Sequence, residues 1–195
     1  MSRNWLWYVL LIFVFLIAVE FVVFLIRGKP YEMTSYDMKF LFDSSGNATI
    51  TTHTVWRFKN AKDARQYVEA FTQNSTEVTE KAQEDLRKVL SRNVKLVSVN
   101  RNAELKSERY VQITEDLFLA NMADVSGGRI KVMFGDAKLK FPLDTSLVYV
   151  FPEGYEVTLA IPTPTQLSGN VALWKIHKGE EEQLPVAVAE EGKGE

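Results

Sequence analysis

From Trp5 to Ile26 the chain runs for 22 residues with no Gly, Pro, Ser, Thr or Lys and one charge, Glu20. As a helix rising about 1.5 Å per residue this run reaches about 33 Å, enough to cross a hydrocarbon core of about 30 Å. It reads as a transmembrane helix in contact with the lipid bilayer. A cleaved signal peptide has a shorter apolar stretch, roughly 7 to 15 residues, and a small-x-small cleavage site. Here the run ends in Leu25-Ile26-Arg27-Gly28-Lys29-Pro30, so an uncleaved signal anchor is the expectation. Trp5, Trp7 and Tyr8 gather at one end, where amphipathic rings favour the headgroup layer, and Arg27 and Lys29 mark the other. A type IV pilin stem would also place a Glu early in an apolar helix. Its basic leader is missing, because Phe15 and ten more apolar or aromatic residues come first.

Flanking charge does not settle the direction of insertion. Arg3 with the amino group balances Arg27 with Lys29. The strand-rich remainder, with no nucleotide-binding loop, places the soluble domain on the extracytoplasmic side of the cell membrane. Absence of cysteine suits either compartment.

Glu20 lies about 7 Å from the middle of the span toward its C-terminal end. Seventeen Leu, Ile, Phe and Val residues, at about −0.3 to −0.6 kcal/mol each, outweigh one ionisable group at about +3 kcal/mol. Two readings stand: a protonated or snorkelling side chain, or a contact with another membrane protein. Glu20 is the one residue singled out as a site.

The chain divides into the span at 5–26, a linker at 27–35, a soluble domain at 36–177 and an acidic, disordered tail at 178–195. From Lys178 onward, six Glu against two Lys carry a net charge of −4. The intervening residues are close to neutral, which excludes a nucleic-acid binder.

The domain opens on alternating residues. Tyr36, Met38, Phe40 and Phe42 share one face, Ser44-Ser45-Gly46-Asn47 turns the chain, and Ala48, Ile50, Trp56 and Phe58 share a face of the return strand. Asn60 caps a helix from Ala61 to about Thr72. A second follows, with Val78, Ala82, Leu86, Val89 and Leu90 as its apolar stripe. Strands are expected at 94–99, 109–114, 116–120, 130–134, 146–151, 155–161 and 171–176, with turns at Ser126-Gly127-Gly128 and Phe151-Pro152-Glu153-Gly154. A strand pair, a helix pair and many strands predict an α+β fold with a mainly antiparallel sheet.

Catalytic chemistry finds little support. Without cysteine, a zinc site would need His53, His177 and carboxylates, and their spacing supports none. No nucleophile elbow, phosphate-binding loop, dinucleotide fingerprint or His-Glu-x-x-His occurs. An enzyme would have to use carboxylates alone, with Glu80, Asp85, Glu115 and Asp116 the candidates, and the expectation is a noncatalytic protein with no cofactor. Asp43 to Asn47 resembles half a calcium loop yet lacks the downstream bidentate Glu, so a turn is the simpler reading. Arg87 to Arg109 holds seven Lys or Arg against two Glu, a bias that suits a wet helix end and strand face as well as an anionic surface. Phe118, Met122, Met133 and Phe134 read as core or as the lining of an apolar cavity.

The hairpin Phe40 to Val55, around Ser45-Gly46-Asn47-Ala48, carries a resemblance. So does Phe151-Pro152-Glu153-Gly154-Tyr155, continuing through Pro162-Thr163-Pro164 to Gly169-Asn170-Val171-Ala172-Leu173-Trp174. In these stretches the chain resembles an uncharacterised family of small prokaryotic membrane-anchored proteins with one N-terminal transmembrane helix and a strand-rich extracytoplasmic domain. That resemblance implies no activity. The function expected is an envelope interaction module, with an extracytoplasmic binding domain for a lipid or other apolar ligand as the alternative.

Overall fold

The computed structural model describes residues 31–71, 94–134, 138–141, 143–179 and 181–192. The run Trp5–Ile26 with Glu20, and the stripe Val78–Leu90 expected as a second helix, lie outside the described residues. Among the described residues no helix is long and apolar enough to cross a membrane.

Period-2 alternation dominates, and it builds thirteen strands among the described residues around one helix. In order these are β1 (Tyr31–Phe42), β2 (Ala48–Phe58), α1 (Ala61–Phe71), β3 (Lys95–Ser107), β4 (Tyr110–Ala120), β5 (Ala123–Ser126) and β6 (Arg129–Val132). There follow β7 (Lys138–Lys140), β8 (Thr145–Val150), β9 (Tyr155–Ile161), β10 (Gln166–Ser168), β11 (Val171–Ile176), β12 (Glu181–Gln183) and β13 (Val186–Glu191). A seven-stranded sheet runs β10-β11-β8-β1-β2-β4-β3, a four-stranded one β5-β6-β13-β9, and β12 pairs with β7. All the registered pairs are antiparallel except β1 with β8, where Asp37 faces Ser146 and Leu41 faces Val150 in parallel.

The α+β expectation is thereby corrected: the described residues are mostly β, thirteen strands with one short helix, α1, among them. Strand β1 runs from Tyr31, inside the stretch 27–35 expected as a linker. Likewise the acidic tail contains β12 and β13. Net charge had concealed the apolar run Val186-Ala187-Val188-Ala189. Its last three residues are buried, and β13 lies between β6 and β9.

One apolar cluster joins the sheets. Phe40, Phe42, Ile50, Leu147, Tyr149 and Trp174 of the large sheet share it with Ile130, Val132, Val157, Ala187 and Ala189 of the small one. Tyr149 sits among rings at 5.1 Å from Phe40, 5.6 Å from Phe42 and 4.9 Å from Trp174, mostly edge to face. Its hydroxyl donates to the Pro185 carbonyl at 3.2 Å.

The helix starts where its cap predicts. Asn60 Oδ1 accepts the Asp63 N–H at 2.9 Å, and Asn60 Nδ2 donates to Asp63 Oδ2 at 2.8 Å. Tyr67 packs on Phe58 and on Phe71, with ring centroids 5.2 and 5.9 Å apart, and Ala64 is fully buried.

Candidate functional site

The β1–β2 turn is built by Asp43. Its Oδ1 accepts the N–H groups of Ser45 and Asn47, both at 2.9 Å, while Oδ2 accepts from Asn47 Nδ2 at 2.9 Å. The half-calcium-loop pattern is thus a turn whose carboxylate is committed to its own backbone. Gly46, at φ +81°, meets the start of β5 so closely that an added Cβ would lie 2.5 Å from the Ala123 carbonyl oxygen. Ala123 N–H donates to the Gly46 carbonyl at 2.9 Å.

Beside this turn, where β1 and β4 end and β2 and β3 begin, lies an open cleft of about 450 Å³. Leu41, Phe42, Ala48, Val97, Phe118, Leu119 and others line it. Three of these large apolar side chains face water: Leu41 is 37%, Phe118 51% and Val97 63% exposed. Val97 sits at the register shift between Leu96 and Ser98, where β3 holds an extra residue against β4. The rim carboxylate is already used in the turn, so what the cleft offers a ligand is mainly apolar surface.

Of the four residues expected to line a cavity, Phe118 alone lines this cleft. Met122 and Phe134 are buried in the core and Met133 is half-buried. His53 and His177 are both exposed. His53 Nδ1 is 3.2 Å from the Thr114 hydroxyl, and His177 Nδ1 is 3.8 Å from Asp144. Asp116 accepts from Thr51 Oγ1 at 2.7 Å. Glu80 and Asp85 lie outside the described residues.

A second arrangement occupies the opposite face of the large sheet. On β4, Val111, Ile113, Leu117 and Leu119 turn toward the interior, and Glu115 falls in the same alternation. On β3, Arg101 stands directly across from Glu115, between Val99 and Ala103. On β2, Thr52 is Glu115's other neighbour. The result is one polar row crossing an otherwise apolar face. Arg101 Nε donates to Glu115 Oε1, and the guanidinium carbon lies 4.2 Å from the centre of the Phe71 ring of α1. Both charged side chains stay in reach of solvent, at 25% and 33% exposure. Tyr36 of β1 borders the row: burial, with the Glu115 charge adding to it, pushes its hydroxyl up to about 12.

Separate strands at 109–114 and 116–120 leave Glu115 between them, and that division conceals the row. The unbroken period Val111, Ile113, Glu115, Leu117, Leu119 was the signal that could have shown a carboxylate among core-facing residues.

Among curated proteins none matches the sequence. A solved structure that is similar, the NMR structure of the folded domain of Mycobacterium tuberculosis LppM, has a TM-score of 0.46 and 13% identity, covering 82% of this chain and 90% of that one. The family model described as "Domain of unknown function (DUF4897)" matches residues 31–185, from the first residue of β1 to the residue before β13. The chain belongs to the DUF4897 family, a strand-rich family of uncharacterised function.

Proposed function

We propose that this chain is a single-pass, membrane-anchored envelope protein whose noncatalytic domain, held on the extracytoplasmic side, binds a partner protein through the cleft at the β1–β2 turn. The observation that carries this reading is the cluster of Leu41, Val97 and Phe118, three large apolar side chains left facing water around one cleft. Contiguous exposed apolar surface of this kind is where partner side chains or apolar ligands settle. The length and composition of Trp5–Ile26 support the anchor. A lipid or other apolar ligand is the second reading, favoured by the cleft volume of about 450 Å³, which falls within the usual range for small-molecule sites.

Photocrosslinking in cells separates the two. A photoreactive residue replacing Val97 is expected to give a discrete protein adduct. One replacing exposed Glu108 should give none, and Phe118→Asp should abolish the adduct from position 97. A lipid adduct at position 97 would favour the second reading. Equal adducts from positions 97 and 108, insensitive to Phe118→Asp, would refute the cleft as a binding site.

Within the membrane, Glu20 is proposed to meet a helix of another protein. Glu20→Leu is therefore expected to release a partner that copurifies with the native chain in mild detergent. If both forms run as lone monomers, the pairing fails.

A further inference from the structure

We propose that the polar row formed by Arg101, Glu115 and Thr52, with Tyr36 at its border, receives the oxyanion head of an amphiphile whose alkyl chain lies along the neighbouring apolar face. This site is on the other face of the sheet from the cleft and does not depend on the reading given to it.

The row carries an energetic cost. An ion pair in a half-dry setting loses hydration that its mutual attraction only partly returns, and an apolar pair at the same positions would continue the stripe without that loss. Polar groups placed at core-facing positions gather where a protein uses them. At 25% and 33% exposure, Arg101 and Glu115 are sheltered enough for their charges to count and open enough for a ligand to reach.

The geometry favours an anion. An arginine side chain carries five N–H donors, and Arg101 gives the one on Nε to Glu115 Oε1. Of the four on its two terminal nitrogens, one runs parallel to that bond, while one from each nitrogen forms the end-on fork. The Phe71 ring beneath the guanidinium holds its plane, so the fork is oriented before any ligand arrives, the arrangement that binds carboxylate or phosphate with two parallel hydrogen bonds. A cation would meet the guanidinium first, while Glu115 is already neutralised. Tyr36 on β1, close enough for the Glu115 charge to act on its hydroxyl, offers a second donor.

The surroundings favour an alkyl chain on that anion. Met38 on β1, Val99 on β3 and Leu117 on β4 are half-buried and packed against the core close to the row. A free inorganic anion would give up hydration here with nothing to offset it. An alkyl chain against these side chains supplies roughly 0.8 kcal/mol per buried CH₂.

The test uses the full chain in nanodiscs of zwitterionic lipid, titrated calorimetrically with empty discs subtracted. Hexyl phosphate is the probe, and inorganic phosphate and hexanol carry its head and its tail alone. Saturable binding of hexyl phosphate is expected, at least tenfold tighter than either control. Arg101→Gln should weaken it at least tenfold, and Tyr36→Phe about threefold. Glu115→Gln should tighten it several-fold, because the competing carboxylate is gone. Should Arg101→Gln fail to fold, the opposite signs expected of Tyr36→Phe and Glu115→Gln still decide. The proposal is overturned by absence of saturable binding, by inorganic phosphate or hexanol binding as tightly as hexyl phosphate, or by weakening in Glu115→Gln. That last result would make the pair a staple between α1 and the sheet.

Discussion

A chain stopped after Pro185 is expected to lose its cooperative unfolding transition altogether. The stop removes the final ten residues, formally an acidic tail, and with them β13. Between β6 and β9 that strand bonds on both edges, Ala187 facing Val132 on one side and Ala160 on the other. Without it the four-stranded sheet separates into a β5–β6 hairpin and a lone β9, and an isolated hairpin is marginal in water. Ala187, Val188 and Ala189 would leave the core, and two unpaired edges would be opened to aggregation. Circular dichroism during heating, together with gel filtration of the full and shortened chains in the same detergent, checks this. Charge is a separate matter. Glu190 pairs with Arg129 at 3.4 Å with both side chains about half exposed, so Glu190→Gln should leave the transition within a few degrees of the native one. A shortened chain that melts like the native protein would mean that β13 contributes nothing to the fold.

The second large effect is expected at Tyr149. Tyr149→Ala empties a fully buried site ringed by Phe40, Phe42, Phe134 and Trp174, for which a loss of about 3–5 kcal/mol is the usual range. Tyr149→Phe keeps the ring and removes only the bond to Pro185, which ties the large sheet to the segment entering β13, at about 1 kcal/mol. Urea midpoints for the three proteins should therefore fall in the order native, Phe, Ala. An Ala variant within 1 kcal/mol of native would contradict the packing described. The same side chain sets an alkaline limit. Burial holds the Tyr149 hydroxyl well above its ordinary value and Tyr36 is pushed up to about 12, so the folded state keeps protons that the unfolded chain gives up near pH 10. Their contribution to stability is fully present below pH 10 and is lost as pH rises through the folded values. Tyr36→Phe should lessen that loss, as urea midpoints across this range would record.

Local pattern made much of the architecture legible. Strands β9 and β11 occupy the residues that alternation assigns them, Tyr155–Ile161 and Val171–Ile176, and the turns at Asp43–Asn47 and Ser126–Gly128 stand where small and polar residues cluster. Asn60 starts α1 as its cap chemistry requires. What alternation lacks is partnership. Nothing local to Tyr36–Phe42 announces that β8 will lie beside it, because backbone pairing carries no sequence code beyond which face is apolar. Four apolar residues among six glutamates were lost in the average charge of the tail, although burial is decided residue by residue. A strand boundary hid the row. Glu115 stands among the candidate carboxylates of the sequence, and its place on the core-facing side emerges only when β4 is one strand whose alternate residues are otherwise apolar.

The parallel pair β1–β8 also sets a timetable. Asp37 accepts the Ser146 N–H across 109 positions of sequence, so one edge of β1 stays open until β8 exists. At about 5–20 residues per second, the roughly one hundred intervening residues take about 5–20 s to synthesise. Throughout that interval the β1–β2 hairpin presents an unpaired strand with Phe40 and Phe42 on one face. Pairing over such a sequence separation is slow even in the finished chain. A nascent or translocating copy therefore spends its most vulnerable seconds before its second half arrives, and its yield in the cell depends on what shields that edge in the meantime.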